Sequence, residues 1–512
     1  MDSSHIDRRS RLRQQRGDSP LLRLPFRQLR NPMKPVEILD EEQIEQLHQA
    51  AMQILENTGI AMMDEETLAI WENAGARVDK NNQRVRMDRG LVMEAVVKAP
   101  ASFTWRARNP KLSNFVGENS ITLAPHGGMV YVSDLDNGRR RGTLKEYENL
   151  VRLSQACNVI HYNGGELVAL NDVDSSIRHL TRLYTDFLLT DKALIEAAHG
   201  RVIPLDSFNM AKIVFGDDIS STPVLGGVIN VSSPLRYDGR MLGGLLTYAR
   251  YGQVNIITPF ILAGAMSPVT MAAALAQQNA EVLAGIALTQ LANPGAPVIY
   301  GGFTTNVDMK SGSPAFGTPE GAWALLVGAQ LARRYKLPYR GSGGLNSAKT
   351  PDAQAAYESL WTMWPAMLAH TNFILHSAGW LEGGMTVSLE KYVIDAEMLA
   401  MFYHFMAGFE INDENLALDS IDEVGPGGHH FGTAHTMERF STAFYQPTLG
   451  DNLGYEVWES AGSWDAARRA NAVWKEILAN YEPPALDAGI QEELEAYVAR
   501  RTKELAGKNL YE

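Results

Sequence analysis

From about residue 157 the chain repeats one pattern: a short run rich in Val, Ile and Gly, a polar or glycine-rich loop, and a stretch with apolar residues at helical spacing. Seven strand-sized runs stand out: Val159–Gly165, Ala193–Ala198, Val224–Val231, Val254–Leu262, Pro297–Phe303, Pro338–Ser342 and Asn372–His376. Helical stretches follow the first six, over Val173–Leu189, Leu205–Phe215, Asp238–Tyr251, Thr270–Leu291, Pro319–Tyr335 and Pro351–Leu368. Runs that are apolar on both faces belong in a parallel sheet buried on both sides. A repeat of about 30 to 40 residues favours an α/β chain of the (β/α)8 TIM-barrel type over an open doubly wound sheet, with an eighth strand still to be placed. No G-x-G-x-x-G follows the first run and no P-loop motif occurs, so nothing supports a dinucleotide or nucleotide site.

Around this core the composition shifts. Residues 35–156 read as an N-terminal α+β accessory layer that opens with a helix: Asp40 can cap it, with Gln43 three residues on, and Ile44, Leu47, Ala51, Ile54 and Leu55 share one face up to Gly59. The barrel is expected over 157–435 and a helical extension over 436–512, with a helix at Asp487–Glu504 packing across the outside. Residues 1–34 read as a disordered basic tail, with eight arginines against three aspartates in Met1–Arg30. The formal net charge of −13 includes that positive tail, so the remainder is more acidic still. Such a balance disfavours nucleic acid and anionic membranes and suits a small cation or a basic partner. Met1–Arg30 holds no apolar stretch for a secretory signal, and the charge-free segment Tyr251–Ala280 is broken by Pro259 and Pro268, so no membrane span is expected. A single cysteine, Cys157, excludes an internal disulfide or a Cys-rich zinc site and points to a reducing cytoplasm.

In a barrel the reacting groups stand at the C-terminal ends of the strands. The residues in those places are Glu166, His199, Asn230, Ser232, Ser233, Thr304, Thr305, Asp308, Arg340, Ser342, Asn346, His376, Trp380 and Glu382, with Tyr300 and Phe303 in or at the tip of the fifth run. Singly, each carboxylate also reads as half of a rim ion pair, each aromatic as rim packing and each histidine as a structural hydrogen-bonder. Together, acids and aromatic rings around one mouth suit an ammonium cation. Val424–Gly432 and His435 hold His429, His430 and His435 at no recognised zinc spacing, so no metal is expected, and Gly425, Gly427 and Gly428 read as an anion nest or a closing loop. Glu281, alone in a long uncharged region, reads as a buried ion pair or a subunit contact, and the uncharged helix faces around it suggest a homo-oligomer.

Several ordered blocks then point to a family. Asn279–Gly285 (NAEVLAG), Gly301–Glu320 (GGFTTNVDMKSGSPAFGTPE), Pro351–Ala355 (PDAQA), Gly379–Met385 (GWLEGGM) and Ile421–Gly425 (IDEVG) resemble the trimethylamine:corrinoid methyltransferase family, with similarity from about Val36 to about Tyr497. The resemblance implies a (β/α)8 barrel that binds no cofactor itself and passes a methyl group from a methylated amine or betaine to the Co(I) corrinoid of a partner protein. Archaeal trimethylamine enzymes of the family carry pyrrolysine after the sixth strand. Here that stretch is Gly341–Lys349 (GSGGLNSAK), with Gly344 or Leu345 at the equivalent place, so the chain resembles a non-pyrrolysine member and a quaternary amine such as a betaine is the favoured donor. The implied roles are a cage from Tyr300, Phe303 and Trp380 and negative potential from Glu166, Asp308 and Glu382. Arg340 would hold a betaine carboxylate unless it pairs with a rim acid, and His199 and His376 would serve catalysis and donor binding. Gly427, Gly428 and His429 would face the corrinoid. Two alternatives remain: trimethylamine itself as donor, or a betaine-binding barrel without catalysis.

Overall fold

The computed structural model describes residue 21 and residues 24–510. All seven apolar runs form strands, and the eighth is Ser120–Leu123, ahead of residue 157 where the sequence reading started the barrel. In chain order the barrel strands are β1 (Ser120–Leu123), β2 (Tyr162–Gly164), β3 (Ala193–Ile195), β4 (Leu225–Val231), β5 (Val254–Ala263), β6 (Val298–Gly301), β7 (Tyr339–Ser342) and β8 (Phe373–Leu375). The helices that follow them are α1 (Leu144–Ala156), α2 (Arg178–Leu189), α3 (Val202–Phe215), α4 (Gly239–Arg250), α5 (Met271–Ala292), α6 (Pro319–Arg334), α7 (Ala353–Leu368) and α8 (Leu389–Ala407). Round the sheet the order is β1-β8-β7-β6-β5-β4-β3-β2, every pair parallel. His161 closes the seam between β2 and β1: its backbone N–H donates to Leu123 O at 2.8 Å, and its Nδ1 accepts from Leu123 N–H at 2.9 Å. The chain is thus a (β/α)8 barrel with an N-terminal α+β cap and a C-terminal helical extension.

Side chains alternate along each strand, and Ile195, Val254, Ile256, Ile299, Phe373 and Leu375 turn inward to one buried cluster. Trp105, from the cap strand Phe103–Trp105, stoppers the N-terminal end of the barrel. Its ring lies 5.0 Å from Tyr162 and 6.0 Å from Phe373, centroid to centroid. Gly226 makes room for it, since a Cβ there would stand 2.2 Å from the indole. The open end is the C-terminal one.

The helix Glu41–Gln53 carries the expected capping box, with Asp40 accepting from Gln43 N–H at 2.8 Å, and a π turn continues it to Gly59. It packs, with Arg89–Val96, on α5. That explains why α5 is apolar on every side: the barrel covers one side and the cap the other. The uncharged faces of α5 are therefore occupied within the chain. Glu281 on α5 makes no ion pair among the described residues; its carboxylate accepts instead from Ser233 Oγ (2.6 Å), Leu235 N–H (2.7 Å) and Gln277 Nε2 (2.9 Å). Burial pushes its carboxyl up to about 7.

The C-terminal helix Ala488–Leu505 lies outside α2 and α3. Asp206 on α3 holds it, accepting from Tyr497 OH at 2.7 Å, Arg501 Nε at 2.7 Å and His179 Nε2 at 3.0 Å. Part of the tail expected to be disordered is ordered: Leu29–Arg30 pairs antiparallel with β1, and Leu29 is buried. The rest of that tail, residues 1–20, 22 and 23, lies outside the described residues. Among the described residues no helix is long and apolar enough to cross a membrane.

Candidate active site

At the open end the strand tips surround a cavity of about 210 Å³. Its acidic wall stands on β2 and β3. Gly164 and Gly165, both at positive φ, turn the chain out of β2 and deliver Glu166 to the mouth, where its side chain is 44% exposed. Arg182 of α2, almost wholly buried, reaches Glu166 Oε1 at 3.3 Å and Glu196 Oε2 at 3.4 Å. Burial opposes ionisation of Glu166, but Arg182 and His199 outweigh it and hold its carboxyl below the usual carboxylate range. Behind Glu166 lie two fully buried carboxyls, Glu196 and Asp186, and Asp186 takes both of its contacts from Tyr147 OH at 2.9 Å.

The opposite wall is basic and aromatic. Arg340 on β7 is 1% exposed, donates from Nη1 to Gly302 O at 2.8 Å and lies 5.1 Å from the Phe303 ring centroid. It makes no ion pair among the described residues, and its Nε meets no acceptor. Burial alone pulls its guanidinium down to about 10. His376, just past β8 at φ +63°, shares a hydrogen bond with Ser342 Oγ at 3.1 Å and lies 4.5 Å from Trp380 and 5.2 Å from Phe303. Burial, Arg340 and His126 hold it well below the ordinary histidine range, so it is neutral. Trp380 is locked from below: its Nε1 donates to Asn346 O at 3.0 Å, and Asn346 Nδ2 donates to Trp380 O at 2.6 Å.

Seven residues singled out from the sequence therefore line one cavity: Glu166, His199, Asn230, Phe303, Arg340, His376 and Trp380. Others are placed elsewhere. Tyr300 has the wrong strand parity; Ile299 turns inward, while Tyr300 points out of the barrel, bonded to Asn279 Oδ1 at 3.0 Å and packed near Tyr335 and Tyr339. Asp308 sits in an exposed turn and binds its own Ser311 hydroxyl at 2.6 Å. Glu382 forms a two-pronged pair with Arg139 at 2.8 and 3.1 Å. Gly344 and Leu345 are buried beneath the mouth, Gly344 at φ +64° and Leu345 in the core, and neither lines this cavity. Gly427, Gly428 and His429 lie exposed on a segment after α8 and do not line it either. Among the described residues no three His, Cys, Asp or Glu side chains are grouped to hold a metal ion.

Three polar cavity residues escaped the sequence reading. Glu196 sits inside a run taken to be strand. Thr258 lies in the middle of β5. His126 follows β1, the strand that was not recognised; its Nδ1 bonds Ala378 O at 2.9 Å, and burial pulls it down to about 4.

A family model described as trimethylamine methyltransferase (MTTB) matches residues 5–506. The chain belongs to the trimethylamine methyltransferase family. Among relatives of this methyltransferase, the glycine betaine methyltransferase of Desulfitobacterium hafniense (strain Y51) is 42% identical over 470 residues, covering 91% of this chain and 98% of that one. The trimethylamine methyltransferase MttB of Desulfitobacterium hafniense (strain DSM 10664 / DCB-2) is 32% identical over 464 residues, covering 90% and 92%. MttB of Methanosarcina barkeri is 28% identical over 500 residues, covering 91% and 95%. The crystal structure of the Methanosarcina barkeri monomethylamine methyltransferase (MtmB) shares the fold of this family member, with a TM-score of 0.52 over 93% of this chain and 92% of that one at 10% identity.

Proposed function

We propose that this member of the trimethylamine methyltransferase family demethylates a carboxylate-bearing quaternary amine, glycine betaine or a close analogue, and delivers the methyl group to the Co(I) corrinoid of a partner protein. The observation that carries the reading is the polarity of the cavity. Arg340 stands on β7, and the acidic cluster stands on β2 and β3, three and four strands round the eight-stranded barrel from it. A buried guanidinium without a counter-ion is costly, and a ligand carboxylate would offset that cost with charge-assisted hydrogen bonds. A quaternary ammonium on the same small molecule then faces Glu166. Trimethylamine offers nothing to Arg340.

The chemistry agrees with that choice. When the methyl carbon leaves a quaternary nitrogen, the C–N bonding pair stays behind and a neutral amine departs, with no separate activator needed. The chain's own task is to hold both charges and aim one methyl group at the mouth. Phe303, one face of which already meets Arg340, and Trp380 supply apolar walls around the methyl groups rather than a complete cation cage. In this reading the exposed loop with Gly427, Gly428 and His429 contributes to the surface that receives the corrinoid protein. A Co(I) acceptor calls for a reducing compartment, which fits the cytoplasm. The similarity to the Desulfitobacterium glycine betaine methyltransferase supports the same donor.

The test is a donor panel: purified protein, reduced cobalamin, and glycine betaine, choline or trimethylamine, followed by the absorbance change of methyl-cobalt formation. Turnover of glycine betaine well above the other two is expected. Trimethylamine turning over faster than glycine betaine overturns the reading, and glycine betaine binding without any methyl transfer makes the barrel a binding protein.

A further inference from the structure

Two neighbouring helices invert the polarity expected of the barrel's outer surface. α7 and α8 together carry five Asp, Glu or Lys side chains, Glu358, Glu390, Lys391, Asp395 and Glu397, and all five are buried. Facing outward are Tyr357, Leu360, Trp361 and Trp364 of α7 and Met401 and Phe405 of α8, each between 39% and 61% exposed. The four on α7 are spaced as one stripe, and Trp364 joins it to α8, its ring 5.1 Å from Phe402 and 5.3 Å from Phe405. Between the helices runs a groove of about 330 Å³ whose lining includes Leu360, Trp364, Met398 and Met401. The one charged residue in that lining, Asp395, gives its carboxylate to Lys391 and to Gly379 N–H at 2.8 Å, so the groove offers no free charge.

A helix that is apolar on its outer face needs cover. Over α5 the chain supplies it with its own cap. The helix Ala466–Ala479 covers α8 on the side toward α1, and no described element lies over the side toward α7. The six outward side chains alone offer on the order of 600 Å² of apolar surface, the upper end of what a monomer leaves in one patch and most of the roughly 800 Å² that each partner buries in a stable dimer. Trp, Tyr, Phe and Met without charge make up the core of a permanent interface; a carrier protein that works at the doorway and departs at each turnover calls for a smaller, more polar contact. We propose that the α7–α8 face docks a second copy of this chain, face to face about a two-fold axis, and that the protein is a homodimer. On a chain of net charge −13, an uncharged apolar face is the part that meets its own copy without repulsion. The contact is thus not on the α5 faces that the sequence suggested, and it holds whatever the methyl donor is.

Sedimentation equilibrium of the full chain at micromolar concentration should give twice the chain mass; a monomer overturns the proposal. The double variant Trp361→Glu with Met401→Glu puts carboxylates on both facing surfaces and should weaken the dimer at least about 100-fold. Met309→Glu, at an exposed apolar side chain in the turn with Asp308, should leave it intact. A dimer that survives the double variant, or one that Met309→Glu also dissolves, overturns this face as the contact. Should the double variant fail to fold, Tyr357→Cys decides, because Cys157 is buried and the new thiol is then the accessible one. A spin label on it should couple to its counterpart in the second copy and lose that coupling when the labelled chain is mixed with excess unlabelled chain. Absence of coupling overturns the proposal.

Discussion

The two walls of the cavity differ in how the chain treats their charge. On β2 and β3 carboxyls outnumber guanidinium groups, and the excess is met by separate buried contacts, Tyr147 with Asp186 and Arg182 with Glu166 and Glu196. On β7 a single guanidinium has one carbonyl, one aromatic face and, among the described residues, no carboxylate. Neither wall is neutralised from within, and the barrel holds them too far round its circumference to neutralise each other. A site left incomplete on both sides in opposite senses is complementary to a zwitterion, and more selective for it than either wall alone would be.

The comparison breaks most readily on the basic side. Arg340→Ala should weaken glycine betaine binding about 100-fold, roughly the 2.7 kcal/mol of a lost charge-assisted pair, while choline affinity holds or improves; titration calorimetry reads both. Equal losses for the two ligands would mean that Arg340 supports the fold rather than the carboxylate. Glu281 sharpens the contrast as a buried carboxyl away from the cavity. Its pKa is raised from 4.5 to about 7, so its contribution to stability is full below the unfolded value and is lost as pH rises through about 7. Glu281→Gln should therefore stabilise the fold at pH 8 by about 2 kcal/mol relative to wild type, and much less at pH 5, with donor affinity unchanged; thermal melts at the two pH values decide it. On the acidic side Glu166→Gln should weaken glycine betaine and choline alike, by about tenfold or 1.4 kcal/mol, because it touches only the ammonium. The smallest effects belong to the carboxylates that lie off both walls. Glu382→Gln and Asp308→Asn should leave kcat/KM within about twofold, as expected of a partly exposed pair and an exposed turn.

Much of the fold was legible because period and burial agree. The Val- and Ile-rich runs needed apolar cover on both faces, and the closed barrel supplies it at β2 through β8, helices outside and the packed interior within. β1 was hidden because Ser120–Leu123 is short, carries Ser and Thr as well as apolar residues, and is separated from α1 by the hairpin Tyr131–Asp134 and Gly138–Arg141. Missing that strand also hid His126. In the site, residues just beyond strand tips were legible by position, as Glu166 and His376 show. Residues inside strands were decided by parity, and one step of register separates inward Ile299 from outward Tyr300. Glu382 and Asp308 failed for a different reason: a carboxylate in a loop takes whichever partner lies near, here Arg139 and a serine of its own turn.

Trp105 has a consequence at the other end of the molecule. With the indole seated among Tyr162, Phe373 and Gly226, the barrel is a cup, not a tube, and everything that visits the cavity uses one doorway. A bulky methyl acceptor standing in that doorway bars the donor from entering and the demethylated amine from leaving. Traffic through the cup is then sequential: donor in first, acceptor over it, acceptor away, and the spent amine out last.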